Sequence, residues 1–292
     1  MTVPHRYASA SAFRIALETR LKQIAFEEGV DLQRLRRQVA FDRLLARLLQ
    51  SRTMPWVLKG GYALELRMQQ ARTTKDIDLT LESPQSLPRK DGSISERVRE
   101  KLQEQLSDDP GDHFVFLVGQ PMMDIDAAPY GGARYPVDAR MDGRSFVKFH
   151  LDVGIGDVVL APLEIVKARD WLGFAEISPP AVSLLSREQQ FAEKLHAYTL
   201  PDRQTPNSRV KDIVDMIMLI ERGGLDKNRV KESIRATFGK RNTHELPTPL
   251  EPPPEHWRPV YDRLSAECKL PIDIDAAYMN LRNFVESLYA VH

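Results

Sequence analysis

Apolar residues in the first fifty positions recur every three or four residues, a spacing that predicts two helices. The first can be capped by Ser9 or Ser11 and ends at Gly29, whose lack of a side chain suits a helix stop. The second begins after Asp31, another residue that caps helices well. Its arginines form a basic face, which we interpret as solvated rather than as an RNA contact: Arg34, Arg36 and Arg37.

Short runs of strand character follow this helical pair. Strands are predicted over 56–58, 76–81, 114–118, 135–141 and 144–153. Asp142-Gly143 separates the last two, and such a pair between strands is a strong signal for a tight hairpin. A short helix is predicted over 62–68, a loop over 83–93 and a helix over 94–107. These elements predict a small mixed sheet flanked by helices.

After Pro179-Pro180 the pattern becomes helical. Helices are predicted over 187–200, 208–222, 226–238, 256–268 and 273–290. The proline-rich stretch 246–254 is predicted to be a linker within this half. The expected fold class is therefore α/β, with a first domain over 1–180 that holds the N-terminal helices and the sheet. The second domain, 181–292, is helical.

Composition narrows the class of protein. A chain of 292 residues is long enough to bury a sizeable core, and no apolar run approaches the roughly 20 residues of a membrane span. Cys268 is the only cysteine, which excludes an internal disulfide framework. Basic and acidic residues both number 41, so bulk electrostatic coating of nucleic acid is disfavoured, although a local basic patch is not. We expect a cytoplasmic protein with no membrane partner.

Two carboxylates stand two residues apart in a predicted strand. Side chains alternate along a strand, so Asp76 and Asp78 leave one face while Ile77 and Leu79 enter the core. Two carboxylates this close repel each other unless a cation lies between them. Oxygen ligands on a rigid element suit Mg²⁺, which commonly uses one or two carboxylates together with substrate phosphates. The pair therefore predicts a magnesium site.

A glycine pair precedes these carboxylates. Gly60 and Gly61 follow Lys59 at a predicted strand-to-helix turn, where a backbone without side chains can approach a phosphate closely. The helix that begins near Tyr62 would direct free N–H groups at the anion. A phosphate cradle followed by a carboxylate pair predicts phosphoryl transfer assisted by metal ions. In isolation, the glycine pair is more typical of a tight turn.

A third carboxylate would complete a site for two metal ions. In the strand after the hairpin, Lys148, His150 and Asp152 lie on the face opposite the apolar residues. If this strand neighbours the Asp76 strand, Asp152 joins the pair on the same face. The alternative is a solvated strand face. A second Asp-x-Asp, at 124–126, has no glycine turn before it and is interpreted as loop.

Two motifs in order resemble the AbiEii/MenT-type nucleotidyltransferases of the DNA polymerase β-like superfamily. The first is Gly60-Gly61, a short helix and the run Arg-Thr-Thr-Lys-Asp-Ile-Asp that ends at Asp78. The second is a helix with Lys194, followed by Arg-Val-Lys-Asp-Ile-Val-Asp over 209–215. The resemblance covers about residues 56–82 and 187–220 and implies a polymerase β-like core with a helical C-terminal half.

The resemblance also implies roles for site residues. Lys59, Gly60 and Gly61 would bind nucleotide phosphates. Lys194 would contact the triphosphate, and Asp212 would orient that lysine or the nucleotide, whereas a plain ion pair between two helices is the alternative. The implied catalytic set is Asp76, Asp78, Asp152, Lys194 and Asp212, with the first three as metal ligands. Asp215 is either a surface residue or a partner of Lys211.

The implied activity is that of a toxin. Members of the family use Mg²⁺ to transfer nucleotides from an NTP, in well-studied cases to the 3′ end of tRNA, which blocks translation. The implied partners are the tRNA acceptor stem and a cognate antitoxin. In some relatives the antitoxin phosphorylates a hydroxyl residue just before the carboxylate pair, where this chain has Thr74. Gly-Gly replaces the Gly-Ser of many members, so one hydroxyl contact to phosphate is missing.

Other functions remain open at this point. The same core would also serve a nucleotidyltransferase that modifies a protein or a small molecule. A third possibility is a partner in a defence complex that binds an NTP without turnover. The preferred NTP, the acceptor, the antitoxin and the oligomeric state are not encoded in these motifs.

Overall fold

The computed structural model describes Tyr7 and residues 9–49, 56–68, 70–87, 92–124, 128–201 and 209–290. In this part of the chain the helices are α1 (Ala10–Glu28), α2 (Leu32–Leu48), α3 (Gly60–Arg67), α4 (Ile94–Leu106), α5 (Arg187–Thr199), α6 (Val210–Arg222), α7 (Lys227–Arg241), α8 (Arg258–Glu267) and α9 (Ile274–Tyr289). The strands are β1 (Trp56–Lys59), β2 (Asp76–Leu81), β3 (Val115–Val118), β4 (Met123–Asp124), β5 (Gly132–Met141), β6 (Arg144–Ile155), β7 (Glu164–Lys167) and β8 (Ala181–Leu184). The α/β class and the mixed sheet are confirmed.

The first two helices begin and end where their capping residues predict. The side chain of Ser9, not Ser11, accepts a hydrogen bond from the α1 backbone, and Gly29 ends that helix in the left-handed region. The side chain of Asp31 caps α2 in the same way. In the predicted loop over 83–93, residues 84–86 form a 3₁₀ turn, and residues 88–91 lie outside the described residues.

The strands form one mixed sheet in the order β3-β5-β6-β2-β1-β8-β7, with β4 paired to β5. β2 and β6 run parallel, whereas β1 with β2 and β5 with β6 are antiparallel. One face of β5 and β6 is buried, and Phe41 of α2 packs edge-on against Phe149 on this face. The other face carries the half-exposed side chains of Asp76, His150 and Arg134, and we call it the open face.

β7 and β8 are elements that the sequence analysis did not predict. Both have only four residues, and β8 directly follows Pro179-Pro180, where a change to helices was expected. The prediction that residues 124–126 form a loop is wrong at Asp124, which pairs with β5 as part of β4, and Asp126 lies outside the described residues. Strands this short give too little alternation to be recognised.

The chain divides into two compact units. The first comprises 1–62, 73–156 and 165–184 and contains most of the sheet, and the second comprises 63–72, 157–164 and 185–292. The second unit has its own apolar core, in which the buried α6 residues Ile213, Met216 and Ile217 take part. One of the boundaries between these units follows Leu184, and the division of the chain into domains after residue 180 stays a prediction. The two short segments, 63–72 and 157–164, have no counterpart in that prediction.

The linker predicted over 246–254 contains no helix or strand. Within the described residues, no helix is both long and apolar enough to cross a membrane.

Candidate active site

Asp76 and Asp78 lie on the open face, and the pairing of their strand places Asp152 beside them. In the parallel pairing of β2 with β6, Asp78 is opposite Asp152 and Asp76 is opposite His150. Ile77 and Leu79, between and beyond the aspartates, are fully buried. The two strands are neighbours, so the condition on which the placement of Asp152 depended is met. The position of this third carboxylate follows from that pairing.

Gly60 allows Asp78 to approach the start of α3. Its φ is +68°, and a Cβ built there would lie 1.9 Å from Asp78 Oδ2. Any other residue would therefore displace the carboxylate as well as strain the backbone. The helix begins at Gly60 rather than near Tyr62, so the glycine pair forms its first turn. A carboxylate at this end of a helix is also favoured by the helix dipole.

A charged row crosses four strands at this level of the open face. In the strand register, Lys59 is opposite Asp78, Asp78 is opposite Asp152, and Asp152 is opposite Arg134. We call Lys59, Asp78, Asp152 and Arg134 the charged row. A cation therefore stands at each end of the two carboxylates, which reduces the repulsion that the pair would otherwise suffer.

Arg134 binds Asp152 through two nitrogens of its guanidinium. Its Nε lies 2.7 Å from Asp152 Oδ1 and its Nη2 lies 2.7 Å from Asp152 Oδ2. The same Nη2 is 3.8 Å from Asp76 Oδ2. The pKa of Arg134 is raised, first by its hydrogen bonds to Asp152 and then by the charges of the nearby aspartates. His150 Nδ1 lies 3.2 Å from Asp76 Oδ1.

The chemistry of the aspartates on the open face indicates whether they could bind a divalent cation. Among the described residues, no three His, Cys, Asp or Glu side chains are grouped as a ready metal site, and Asp152 is engaged by Arg134. Asp76 and Asp78 supply the hard oxygen donors that Mg²⁺ uses together with substrate phosphates. The glycine at position 60 leaves space for Asp78 at the helix start. The pair fits the ion, and Asp152 as third ligand stays a prediction.

The second unit contains a separate buried ion network. Lys194 on α5 lies 2.6 Å from Asp215 Oδ2 and 3.3 Å from Asp212 Oδ1, both on α6. Arg72 donates two hydrogen bonds to Asp215, of 2.9 and 2.7 Å. The predicted alternatives for Asp215, a surface residue or a partner of Lys211, are therefore wrong: its side chain is fully buried between Lys194 and Arg72.

This network holds Lys194 and Asp215 in their charged forms. Burial alone would lower the pKa of Lys194, but Asp215 and Asp212 outweigh it, and the pKa is raised. Burial would raise the pKa of Asp215, but Lys194 and Arg72 outweigh it, and the pKa is lowered. The ion pair of Lys194 with Asp212 is present, and the alternative to a role in catalysis was such an ion pair between two helices. The role in triphosphate binding that the resemblance implies for Lys194 stays a prediction.

Thr74, the phosphosite candidate, is buried. Its exposed fraction is 7%, whereas the neighbouring Thr73 is half-buried and Lys75 is exposed. A modifying enzyme would reach the Thr74 hydroxyl only if the segment before β2 moved.

His196 is buried against Phe238 and forms a hydrogen bond with Thr243, which is typical of a residue that packs between helices.

Sequence reasoning missed Arg134, Arg72 and the buried position of Asp215. Arg134 lacks a motif, and its partner depends on the exact pairing of β5 with β6. Arg72 begins the Arg-Thr-Thr-Lys-Asp-Ile-Asp run and was the available signal, because an arginine in a segment that leads into a buried strand needs an acidic partner.

The mixed sheet, the carboxylates in register on its open face and the helical second unit are the arrangement expected of a nucleotidyltransferase. The family model described as nucleotidyl transferase AbiEii toxin, type IV toxin–antitoxin system, matches residues 43–280. The chain therefore belongs to the AbiEii family of nucleotidyltransferase toxins.

A solved structure shares the fold. The chain is similar to MenT4, a nucleotidyltransferase toxin from Mycobacterium tuberculosis, with a TM-score of 0.58 and 15% identity over 93% of this chain and 97% of that one. A weaker match is a candidate nucleotidyltransferase from H. pylori, with a TM-score of 0.45 and 14% identity over 89% of this chain and 96% of that one. No curated protein sequence matches the chain significantly.

Proposed function

We propose that this toxin uses Mg²⁺ to transfer nucleotides from an NTP to the 3′ end of tRNA. The observation that carries the proposal is the strand register that sets Asp76, Asp78 and Asp152 on one face of the sheet. Membership of the family supports nucleotide transfer by a toxin. The tRNA end and the identity of the metal come from the resemblance of the two sequence motifs.

The reaction joins the acceptor to the α-phosphate of the nucleotide. The acceptor hydroxyl oxygen attacks the α-phosphorus, the bond from that phosphorus to the oxygen bridging to the β-phosphate breaks, and pyrophosphate leaves with the bonding electrons. The hydroxyl proton passes to solvent. When bound, Mg²⁺ would neutralise charge at the attacking and leaving oxygens.

The residues of the first unit have separate tasks in this scheme. Asp76 and Asp78 hold the cation, with Asp152 as the proposed third ligand. Gly60 and Gly61 bring the α3 backbone close to phosphate, and Lys59 at the end of β1 adds a positive charge beside Asp78. Arg134 fixes Asp152 at the other end of the charged row. For Lys194 and Asp212, which belong to the second unit, the proposed role on the triphosphate comes only from the resemblance of the sequence motifs.

The test is the labelling of an acceptor. Purified protein is incubated with Mg²⁺, total tRNA and each α-³²P-labelled NTP in turn, and the products are separated on a gel. Label on tRNA with at least one NTP is expected, and tRNA whose 3′ terminal ribose has been oxidised with periodate should remain unlabelled. Asp76→Asn should abolish labelling, whereas Asp262→Asn, at an exposed position of α8, should not.

Three results would contradict the proposal. Label on tRNA oxidised with periodate would exclude the 3′ end as the acceptor. Label on a protein or a small molecule but on no RNA would replace tRNA by that acceptor. NTP binding without transfer to any acceptor would indicate a module that does not turn over.

A further inference from the structure

A groove of about 810 Å³ lies on the first unit and reaches the carboxylates. Its lining residues come from α2, β3, β5 and β6, from the segment between β3 and β4, and from the start of β2 with the residue before it. Asp76, the first residue of β2, is one of them. The strand register places several of these side chains on the open face. Leu117 is opposite Asp138, which is opposite Lys148. The groove is therefore continuous with the face that carries Asp76.

Three cations in this groove have no ionic partner among the described residues. Arg37, Lys75 and Lys148 line it, and no ion pair involves any of them in the part of the chain that the structure describes. The Nε atom of Arg37 is buried and donates no hydrogen bond to a described residue. The carboxylate of Asp138 is already bonded by Ser145 at 2.6 Å. In a chain with no net charge, this is a local concentration of positive charge.

Exposed apolar side chains stand beside these cations. Leu117 is 43% exposed and Met122 is 64% exposed, and Pro136 lines the same groove. Cations together with flat apolar surfaces suit a single strand, whose phosphates and unpaired bases are both accessible. A duplex would leave the apolar residues uncovered, because its bases face each other.

The spacing along β6 connects the cations to the site of reaction. Lys148 is two residues from His150, which is about 7 Å along a strand. His150 Nδ1 in turn lies 3.2 Å from Asp76 Oδ1. An RNA strand with its terminal hydroxyl at Asp76 would therefore place the phosphates just upstream of that end beside Lys148.

We propose that this groove binds the unpaired 3′ end of the acceptor RNA, with its phosphates on Arg37, Lys75 and Lys148 and its bases on Leu117, Met122 and Pro136. The inference rests on the proposed function, which it deepens by naming the acceptor's binding surface. It assigns RNA binding to residues outside both family motifs, apart from Lys75, which lies within the first. For Arg37 it replaces the earlier interpretation of a solvated helix face, because Arg37 lines the groove and its Nε is buried.

The test measures binding without catalysis. The anisotropy of a short single-stranded RNA labelled with fluorescein at its 5′ end is followed as the full-length protein is added, with no NTP present. Lys148→Glu should weaken binding by about tenfold or more, because a phosphate contact becomes a repulsion. Lys22→Glu makes the same charge change at an exposed position of α1 outside the groove and should leave binding within about twofold.

The salt dependence distinguishes a phosphate contact from a change in folding. Lys148→Gln should lower the slope of log affinity against log salt by about 0.7, the value for one phosphate contact on a single strand. A fully double-stranded RNA with blunt ends should bind more weakly than the single strand, and its affinity should not depend on Leu117→Ala.

Each outcome supports or overturns the proposal. Equal affinities for Lys148→Glu and the wild type, equal losses for Lys148→Glu and Lys22→Glu, or no RNA binding by the wild type would overturn it. Loss of an antitoxin's binding but not of RNA binding in Lys148→Glu would reassign the groove to a protein. If the groove variants lose RNA but the wild type labels no RNA, the groove stands and the proposed transfer fails. If the wild type labels RNA but the groove variants bind RNA as tightly as the wild type, the proposed transfer stands and the proposed groove fails.

Discussion

At the scale of single residues, the site depends on side chains whose neighbours are distant in sequence. Gly60 faces Asp78, which occupies the place where a Cβ would be. Asp152 forms an ion pair with Arg134, and Asp215 forms ion pairs with Lys194 and Arg72. The motifs predicted the residues that carry the chemistry, but not these partners, because a partner is defined by the folded pairing and not by spacing along the chain.

Gly60→Ala tests the contact with Asp78. The new Cβ would collide with the carboxylate and a non-glycine residue would be forced to a φ of +68°, so loss of transfer and of about 2 kcal/mol or more of stability is expected. Gly29→Ala is the matched control, since Gly29 has a φ of +64° and a Cβ added there would meet nothing within 4 Å.

The control should lose only about 1 kcal/mol of stability, from backbone strain, and keep its activity. Thermal unfolding and nucleotide transfer are measured for both variants. Equal effects of the two substitutions on transfer would contradict the role given to Gly60.

Arg134→Gln tests the balance of charge in the charged row. Removal of a guanidinium 2.7 Å from Asp152 and 3.8 Å from Asp76 leaves the carboxylates more negative, so the affinity for a divalent cation should rise by about tenfold. Mn²⁺ binding is measured by electron paramagnetic resonance without nucleotide. Arg140→Gln, on the same strand but bonded to Gly143 O, should leave this affinity unchanged. A lower Mn²⁺ affinity in Arg134→Gln would show that Arg134 supports the cation site instead.

Asp215→Asn tests the buried network of the second unit. Loss of the charge leaves Lys194 and Arg72 buried without compensation, which should cost about 3–5 kcal/mol of unfolding free energy. Asp212→Asn should cost less, because Asp212 is more exposed and lies farther from Lys194. Urea unfolding of the two variants gives the comparison. Equal losses would contradict the central position assigned to Asp215.

The pH dependence of stability provides a second test of Asp215. Because its folded-state pKa is lowered, its contribution is complete above the unfolded-state pKa of about 3.9 and is lost as the pH falls through the lowered value. The wild type should therefore lose stability in acid more steeply than Asp215→Asn.

At the scale of elements, the longer helices and strands were predictable and the pairing of the hairpin was not. The Asp142-Gly143 turn places Met141 opposite Arg144. If the same register continued along the whole hairpin, Arg134 would lie opposite Leu151. A bulge near Ala139 shifts the register by one residue and brings Arg134 opposite Asp152. A shift of one residue moves every side chain to the other face, so no sequence pattern alone could predict this ion pair.

The segment before β2 determines what a modification at Thr74 would do. Thr74 is 7% exposed, and Thr73 beside it is half-buried. Thr74→Glu would bury an unpaired charge and should cost about 2 kcal/mol or more of stability, whereas Thr73→Glu should cost less. Differential scanning calorimetry compares the two. Equal melting temperatures for Thr74→Glu and the wild type would show that this segment opens without cost.

At the scale of the whole molecule, the sequence predicted two parts, and the chain forms two units with interleaved segments. The boundary near residue 184 follows the change from strands to helices, which is a local signal. The segments 63–72 and 157–164 join the second unit through packing, and local patterns do not encode such packing. The zero net charge likewise conceals the local cations of the groove that reaches Asp76, because composition averages over the surface.

The central claim is that the carboxylates on the open face perform nucleotide transfer. The most direct measurement compares the initial rate of transfer from labelled NTP by the wild type, Asp78→Asn and Asp262→Asn, to the acceptor that the wild type labels. Asp78→Asn keeps the shape of the side chain beside Gly60 but loses the charge, and its rate should fall on the order of a thousandfold. Asp262→Asn should retain the wild-type rate. Transfer by Asp78→Asn at the wild-type rate would contradict the claim.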